Sequence, residues 1–146
     1  MAEASSNLRI LGKYSARMLA GDYDAVREHF AAEFASHVAE RVNPAVMGTD
    51  IRAHEEEFWE QTRQAFPDRE FHINLLIESG DLVVSNWTLT GTHSGGNYYD
   101  VPPSGERVAI NGTAILRFKD SKVVEHWGGP HCMRGVGLTR GVDLNR

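Results

Sequence analysis

Cysteine is almost missing from this sequence, with one residue, Cys132, in 146. A single cysteine cannot close an internal disulfide, so a disulfide-stapled scaffold is excluded and a reducing compartment is expected. No apolar run approaches the ~20 residues that a membrane-spanning helix needs. The opening residues, MAEASSNLRILGKY, lack a basic stretch followed by an apolar one. No secretory signal is therefore expected, and a soluble cytoplasmic protein is. Positive charge is also scarce: 15 Lys and Arg stand against 20 Asp and Glu, for a net charge of -5. Such a chain makes a poor general binder of nucleic acid or of an anionic membrane. The spacings that hold metals, His-x-His, Cys-x-x-Cys and His-Glu-x-x-His, do not occur, and His131-Cys132 alone is weak. The glycines from Gly91 to Gly96 follow a strand pattern but do not lead into a helix, so they make no phosphate loop. No Gly-x-Ser-x-Gly nucleophile elbow is present. The expectation is a protein that works without metal, nucleotide or flavin.

What is present is an ordinary globular balance, 41% hydrophobic and 24% charged, in a length that suits a single domain over residues 1–146. The first half has helical spacing. Leu8, Leu11, Tyr14 or Ser15, Met18 and Leu19 fall on one helix face. Gly21 and Asp22 separate this from a second pattern, Tyr23, Val26, Phe30 and Phe34. Asn43-Pro44 breaks the chain, and Thr49 or Asp50 caps a third helix carrying Ile51, His54, Phe58, Thr62, Ala65 and Phe66 on one side. After Pro67-Asp68 the period changes to two. Phe71, Ile73, Leu75 and Ile77 alternate with His72, Asn74, Leu76 and Glu78. Three further strand patterns run from Leu82 to His93, from Arg107 to Phe118 and from Lys122 to Trp127. Helices followed by an antiparallel meander predict an α+β domain, with helices on one face of a curved sheet. The open end of such a cone suits a small, mostly apolar molecule.

Several short segments, in order, resemble the SnoaL-like polyketide cyclases of the NTF2-like superfamily. They are Ala20-Gly21-Asp22-Tyr23-Asp24-Ala25-Val26, Ala65-Phe66-Pro67-Asp68, Ser79-Gly80-Asp81-Leu82-Val83-Val84, Gly91-Thr92-His93-Ser94-Gly95, Val101-Pro102-Pro103-Ser104-Gly105 and Asp120-Ser121-Lys122-Val123-Val124-Glu125-His126-Trp127. The resemblance implies an NTF2-like cone, ring closure by an intramolecular aldol reaction without a cofactor, and a homodimer paired through the open sheet face. It also implies an acidic acid/base residue near the end of the last strand, in a pattern of Glu-x-Trp followed by aspartate. Here the chain reads Glu125-His126-Trp127-Gly128-Gly129-Pro130-His131, and His131 stands in place of that aspartate. An imidazole titrates near neutral pH and can still move a proton.

His131 is therefore a candidate general acid or base at the pocket mouth; the alternative is an exposed loop residue. Glu125 shares a strand face with Trp127. Inward, it would be a carboxylate with a raised pKa; alternatively it is a structural partner of an arginine such as Arg107 or Arg117. His93, at the end of a strand, either orients the following loop or pairs with Glu125 as base and orienter. His54 and Phe58 lie on the helix face that would form the pocket wall, while His126, opposite to Trp127, reads as outward. Asn86, Thr88 and Thr90 share one strand face, and Asn111 and Thr113 repeat it. That polar row is either a solvated outer face or a cavity lining. Tyr99, in a glycine-rich loop, would close over a hydrophobic substrate and donate to its oxygen. The expected substrate-binding set is Trp127, His54, Phe58, Asn86, Asn111 and Tyr99.

The leading expectation is a cyclase acting on a hydrophobic polyketide-type intermediate, which gains by holding a flexible chain folded for ring closure. The alternatives are an epoxide hydrolase or isomerase of the same superfamily, and a non-catalytic small-molecule binding or dimerisation module.

Overall fold

The computed structural model describes residues 6–37 and 52–134, with 130–134 described by backbone alone. Helix α1, Ser6–Leu19, buries Leu11, Tyr14, Ser15 and Met18, one stripe at helical spacing. A short α2, Asp24–His29, buries Ala25 and Val26. Helix α3, Arg52–Ala65, buries Trp59, Thr62 and Ala65. Its expected cap at Thr49 or Asp50 lies outside the described residues.

The strands are β1 (Phe30–Ser36), β2 (Glu70–Ser79), β3 (Leu82–Thr92), β4 (Arg107–Lys119) and β5 (Lys122–Arg134). They form one sheet in the order β1-β5-β4-β3-β2. β1 runs parallel to β5, and the other neighbours are antiparallel. This is the expected α+β arrangement, but with a fifth strand. Phe30 and Phe34 do not continue a helix; they lie in β1, where Phe30 is already extended, at φ -109 and ψ 136. A spacing of four returns a residue to the same face in a strand as well as in a helix, so these two phenylalanines are buried either way.

One sheet face carries the core. In β3, Val83, Ser85, Trp87 and Leu89 are buried, and in β4 so are Val108, Ile110, Leu116 and Phe118. Helices α1 and α2, with Trp59 of α3, close one end of this core against Val83, Leu116, Phe118 and Val123. Ala65 and Phe66 close the other end against Trp87, Leu89, Val108 and Ile110. Asn86, Thr88, Asn111 and Thr113 point to the opposite, outer face, which the described helices leave open.

Two bulges reset which residues face the helices. In β2 the register shifts between Ile73 and Leu75: Ile73 opposes inward Trp87, whereas Leu75 opposes outward Asn86. The four apolar residues expected on one face are thereby split, with Phe71 and Ile73 on the inner face and Leu75 and Ile77 on the outer. Between β4 and β5 the register shifts after the pair Phe118 and Val123, so that Glu125 opposes Arg117 and His126 opposes Leu116. One extra residue in a bulge turns every later side chain to the other face. The expected orientations are therefore reversed: His126 faces the helices, while Glu125 and Trp127 face away.

The loop from β3 to β4 is tied to α3. Gly95 N donates to Ala65 O at 3.2 Å, and Gly96 N donates to Gln64 O at 2.9 Å. The Tyr99 amide donates to Gln61 Oε1 at 3.1 Å. Tyr99 itself sits at φ 49.

Candidate active site

Three elements bring a polar chain into the aromatic interior. Glu55 precedes Trp59 by four residues on α3, so the two side chains share a face. Tyr14 comes from the buried stripe of α1, and His126 comes from β5. Trp59 Nε1 donates to Tyr14 Oη at 3.2 Å. Tyr14 Oη donates to Glu55 Oε2 at 3.1 Å. Glu55 Oε1 lies 3.2 Å from His126 Nδ1, with 19% and 13% of these two side chains exposed. The His126 ring is close enough for a charge contact, but its Nδ1 has no aligned hydrogen-bond partner. Catalytic hydrogen bonds are often poorly aligned before substrate arrives.

The electrostatics follow from this placement. Burial alone would push the Glu55 carboxyl up, but His126, then Tyr14 and His54, outweigh it and hold the group below the usual carboxylate range. Glu55 is thus an anion inside the fold. Burial, and then the Glu55 charge, push the Tyr14 hydroxyl well up, so Tyr14 stays a neutral donor.

Aromatic rings pack beside the chain. Phe58 packs between Trp59 and Trp87, with ring centroids 5.7 and 5.8 Å away. Trp87 lies flat over Gly112, where an added Cβ would come within 2.2 Å of its ring. His54 Nδ1 stands 3.8 Å from Glu57 Oε2 on the same helix. Tyr99 lies half-exposed beyond α3; its hydroxyl is pushed up to about 12, first by burial and then by the charges of Glu57 and Glu55. Among the expected residues, then, His54, Phe58 and Tyr99 stand around Glu55.

The others lie elsewhere. Glu125 takes Arg117 Nε at 2.8 Å and His37 Nε2 at 3.0 Å. His37, and then Arg117, hold its carboxyl below the usual range instead of raising it. Its place is the arginine partnership that the sequence left open. Trp127 stacks on the His37 ring at 4.7 Å and borders a shallow outer groove of about 280 Å³, together with Leu82, Ile115 and Arg117. His93 is fully buried. Its Nε2 is 3.1 Å from Gly96 O and its ring packs on Phe66, so it orients the loop. His93 and Glu125 do not meet. Thr92 opposes Arg107 and Glu125 opposes Arg117, ten residues apart along β4, which is ~33 Å of strand. Asn86 and Asn111 belong to an outer-face ladder. Asn74 donates to Asn86 at 3.0 Å, Asn86 donates to Thr113 at 2.9 Å and Asn111 donates to Thr88 at 3.1 Å. The backbone of His131 lies in β5 at a second register shift, between the partners of Asn111 and Gly112; its side chain is outside the description. Among the described residues, no three of His, Cys, Asp and Glu gather to hold a metal ion. No described helix is long and apolar enough to cross a membrane.

The arrangement matches known proteins at the level of family and fold. The family model for SnoaL-like polyketide cyclase matches residues 9–133. The chain belongs to the SnoaL-like polyketide cyclase family. Its solved structural relatives share the NTF2-like cone. TsrD from Streptomyces laurentii is 20% identical, with 98% of each chain covered and a TM-score of 0.73. AclR from Streptomyces galilaeus, provisionally described as a hydroxylase, is 25% identical over 92% of this chain and 83% of its own, with a TM-score of 0.69. IdmH from Streptomyces antibioticus, provisionally described as a polyketide cyclase, is 24% identical over 85% of this chain and 91% of its own, with a TM-score of 0.66. No curated protein sequence matches the chain significantly.

The sequence reading missed Tyr14, Glu55 and His126 as a group. Tyr14 on an apolar stripe and Glu55 one turn before a buried tryptophan were the available signals. The bulge that turns His126 inward has no signature in residue spacing.

Proposed function

We propose that this protein is a cofactor-independent cyclase for a hydrophobic polyketide-type intermediate, and that proton transfer takes place at the His126–Glu55 pair inside the cone. The observation that carries the reading is the contact of the His126 imidazole with the Glu55 carboxylate, held among Tyr14, Trp59 and Phe58, on the sheet face that the helices cover. The aromatic wall of Phe58 and Trp87 would keep a flexible poly-β-ketone chain folded, which lowers the entropy cost of closure. His126 takes a proton from the carbon beside a ketone. The resulting enolate carbon bonds to a second carbonyl carbon of the same chain, and the new alkoxide takes a proton back. Atoms and charge balance without an oxidant or reductant. Tyr99 supplies a hydroxyl to the developing oxyanion. His131 remains in this reading as the β5 residue that replaces the family aspartate.

The test is the conversion of a linear poly-β-ketone probe to a cyclic product of equal mass, followed by chromatography. His126→Ala and Glu55→Gln are each expected to slow it by ~10²–10⁴-fold, the worth of a positioned proton carrier. A loss confined to His131→Ala, with both other variants at full rate, would move proton transfer out of the pair.

The same reading includes a homodimer built on the outer sheet face. Leu75 is 51% and Ile77 49% exposed there, beside the groove at Trp127 and Ile115. Light scattering should give twice the monomer mass at micromolar concentration; the monomer mass would refute the pairing.

A further inference from the structure

The indole N–H of Trp59 can only donate, so Tyr14 Oη must accept at that bond. A phenol has one proton, and the remaining contact of Tyr14 Oη is Glu55 Oε2 at 3.1 Å. The proton of Tyr14 therefore points at Glu55. The chain Trp59, Tyr14, Glu55 has one polarity, fixed by the donor-only residue at its start. Its end is a carboxylate whose other oxygen, Oε1, faces His126 Nδ1. Tyr14 and Trp59 are each only 5% exposed, so water does not compete at the bond between them.

We propose that Tyr14 is a positioning residue that locks Glu55 as the acceptor for His126 Nδ1, so that the imidazole is held in its Nδ1–H tautomer with Nε2 as the basic nitrogen. This rests on the reading of the cone as the catalytic site and divides its labour. His126 Nε2, the ring nitrogen remote from Glu55, exchanges the proton with substrate. Glu55 orients and stays charged, Tyr14 holds Glu55, and Trp59 holds Tyr14. A carboxylate fixed by the Tyr14 hydroxyl at one oxygen keeps its other oxygen facing the ring when the imidazole becomes a cation, which is the moment at which its charge is worth most. The groups that act on Glu55 come from every neighbouring element: Tyr14 from α1, His126 from β5, Tyr99 from the β3–β4 loop and His54 from its own helix.

The experiment is nitrogen-15 NMR of the histidine rings, with carbon-13 titration of the Glu55 carboxyl, on the full chain without substrate. The wild type should show His126 as the Nδ1–H tautomer, with Glu55 titrating below an ordinary glutamate. Tyr14→Phe keeps the ring and removes the donor. It should raise the Glu55 pKa by about one unit, since a hydrogen bond to the charged form favours it, and should mix the two His126 tautomers. Trp59→Phe should move both signals in the same direction by less. It is also the deciding variant if Tyr14→Phe does not fold. A wild-type His126 in the Nε2–H form, or tautomer and Glu55 signals unchanged in both variants, would overturn the assignment. The probe turnover of the preceding section is a separate readout. Unchanged tautomers with normal turnover sink this proposal alone, whereas the expected tautomers with no pair-dependent turnover sink the functional reading alone.

Discussion

Gly112 carries no side chain because Trp87 occupies the place where one would lie. A Cβ there would come within 2.2 Å of the indole, far inside contact distance. The ring cannot simply swing aside, because Phe58 and Phe71 pack against it with centroids 5.8 and 5.5 Å away. Gly112→Ala is therefore expected to destabilise the fold by about 1–3 kcal/mol, the cost of overpacking, and to shift tryptophan fluorescence. Unchanged melting and emission would show that the wall is looser than drawn. A glycine in mid-strand normally weakens it, so this position trades strand propensity for an aromatic wall. The same scale explains why adjacent residues differ so much. Glu125 is held between Arg117 and His37 on the outer face, whereas His126 meets a carboxylate on the inner one. Both carboxyls, Glu125 and Glu55, are held below the usual range by their partners. Their contribution to stability is present above the ordinary carboxylate range and is lost as pH falls through their own lower pKa values.

At the scale of elements, the legible parts of the sequence were those whose period is unambiguous. β3 alternates strictly between buried and half-buried residues from Leu82 to Thr92. Its Val, Trp and Thr content names it a strand without help from the fold. α1 likewise follows from Leu11, Tyr14 and Met18. β1 was not legible as a strand, because Phe30 and Phe34 satisfy helix and strand alike and no turn residue separates them from α2. The facing of β5 was not legible either. From buried Val123 a regular strand would turn Glu125 inward, and the extra residue at Val124 turns it outward. Bulges respond to how strands pair across the sheet, which lies outside the local sequence. The consequence for the site was large. A one-residue shift exchanged the candidate Glu125 for His126, and with it the whole set of partners from Trp127 and Arg117 to Glu55 and Tyr14. His93 failed as a candidate for another reason. Proximity to a strand end suggested a pocket mouth, but Gly95 and Gly96 fold the loop onto α3 and bury the ring beneath it.

At the scale of the whole molecule, the sheet separates two chemistries. The helix-covered face holds the His126–Glu55 contact among aromatic rings. The outer face holds a mutually bonded amide and hydroxyl ladder, with apolar residues at one end. The family name speaks for cyclisation, and its relatives at 20–25% identity share the cone. Which face takes the substrate is then the central question. The most direct measurement is a chemical-shift map of the full chain titrated with a linear poly-β-ketone probe. Saturable shifts centred on His126, Glu55, Phe58 and Tyr99, with the outer ladder of Asn74, Asn86 and Asn111 unmoved, are the result expected here. Shifts centred on Trp127, Asn86 and Asn111, with His126 and Glu55 unmoved, would contradict it.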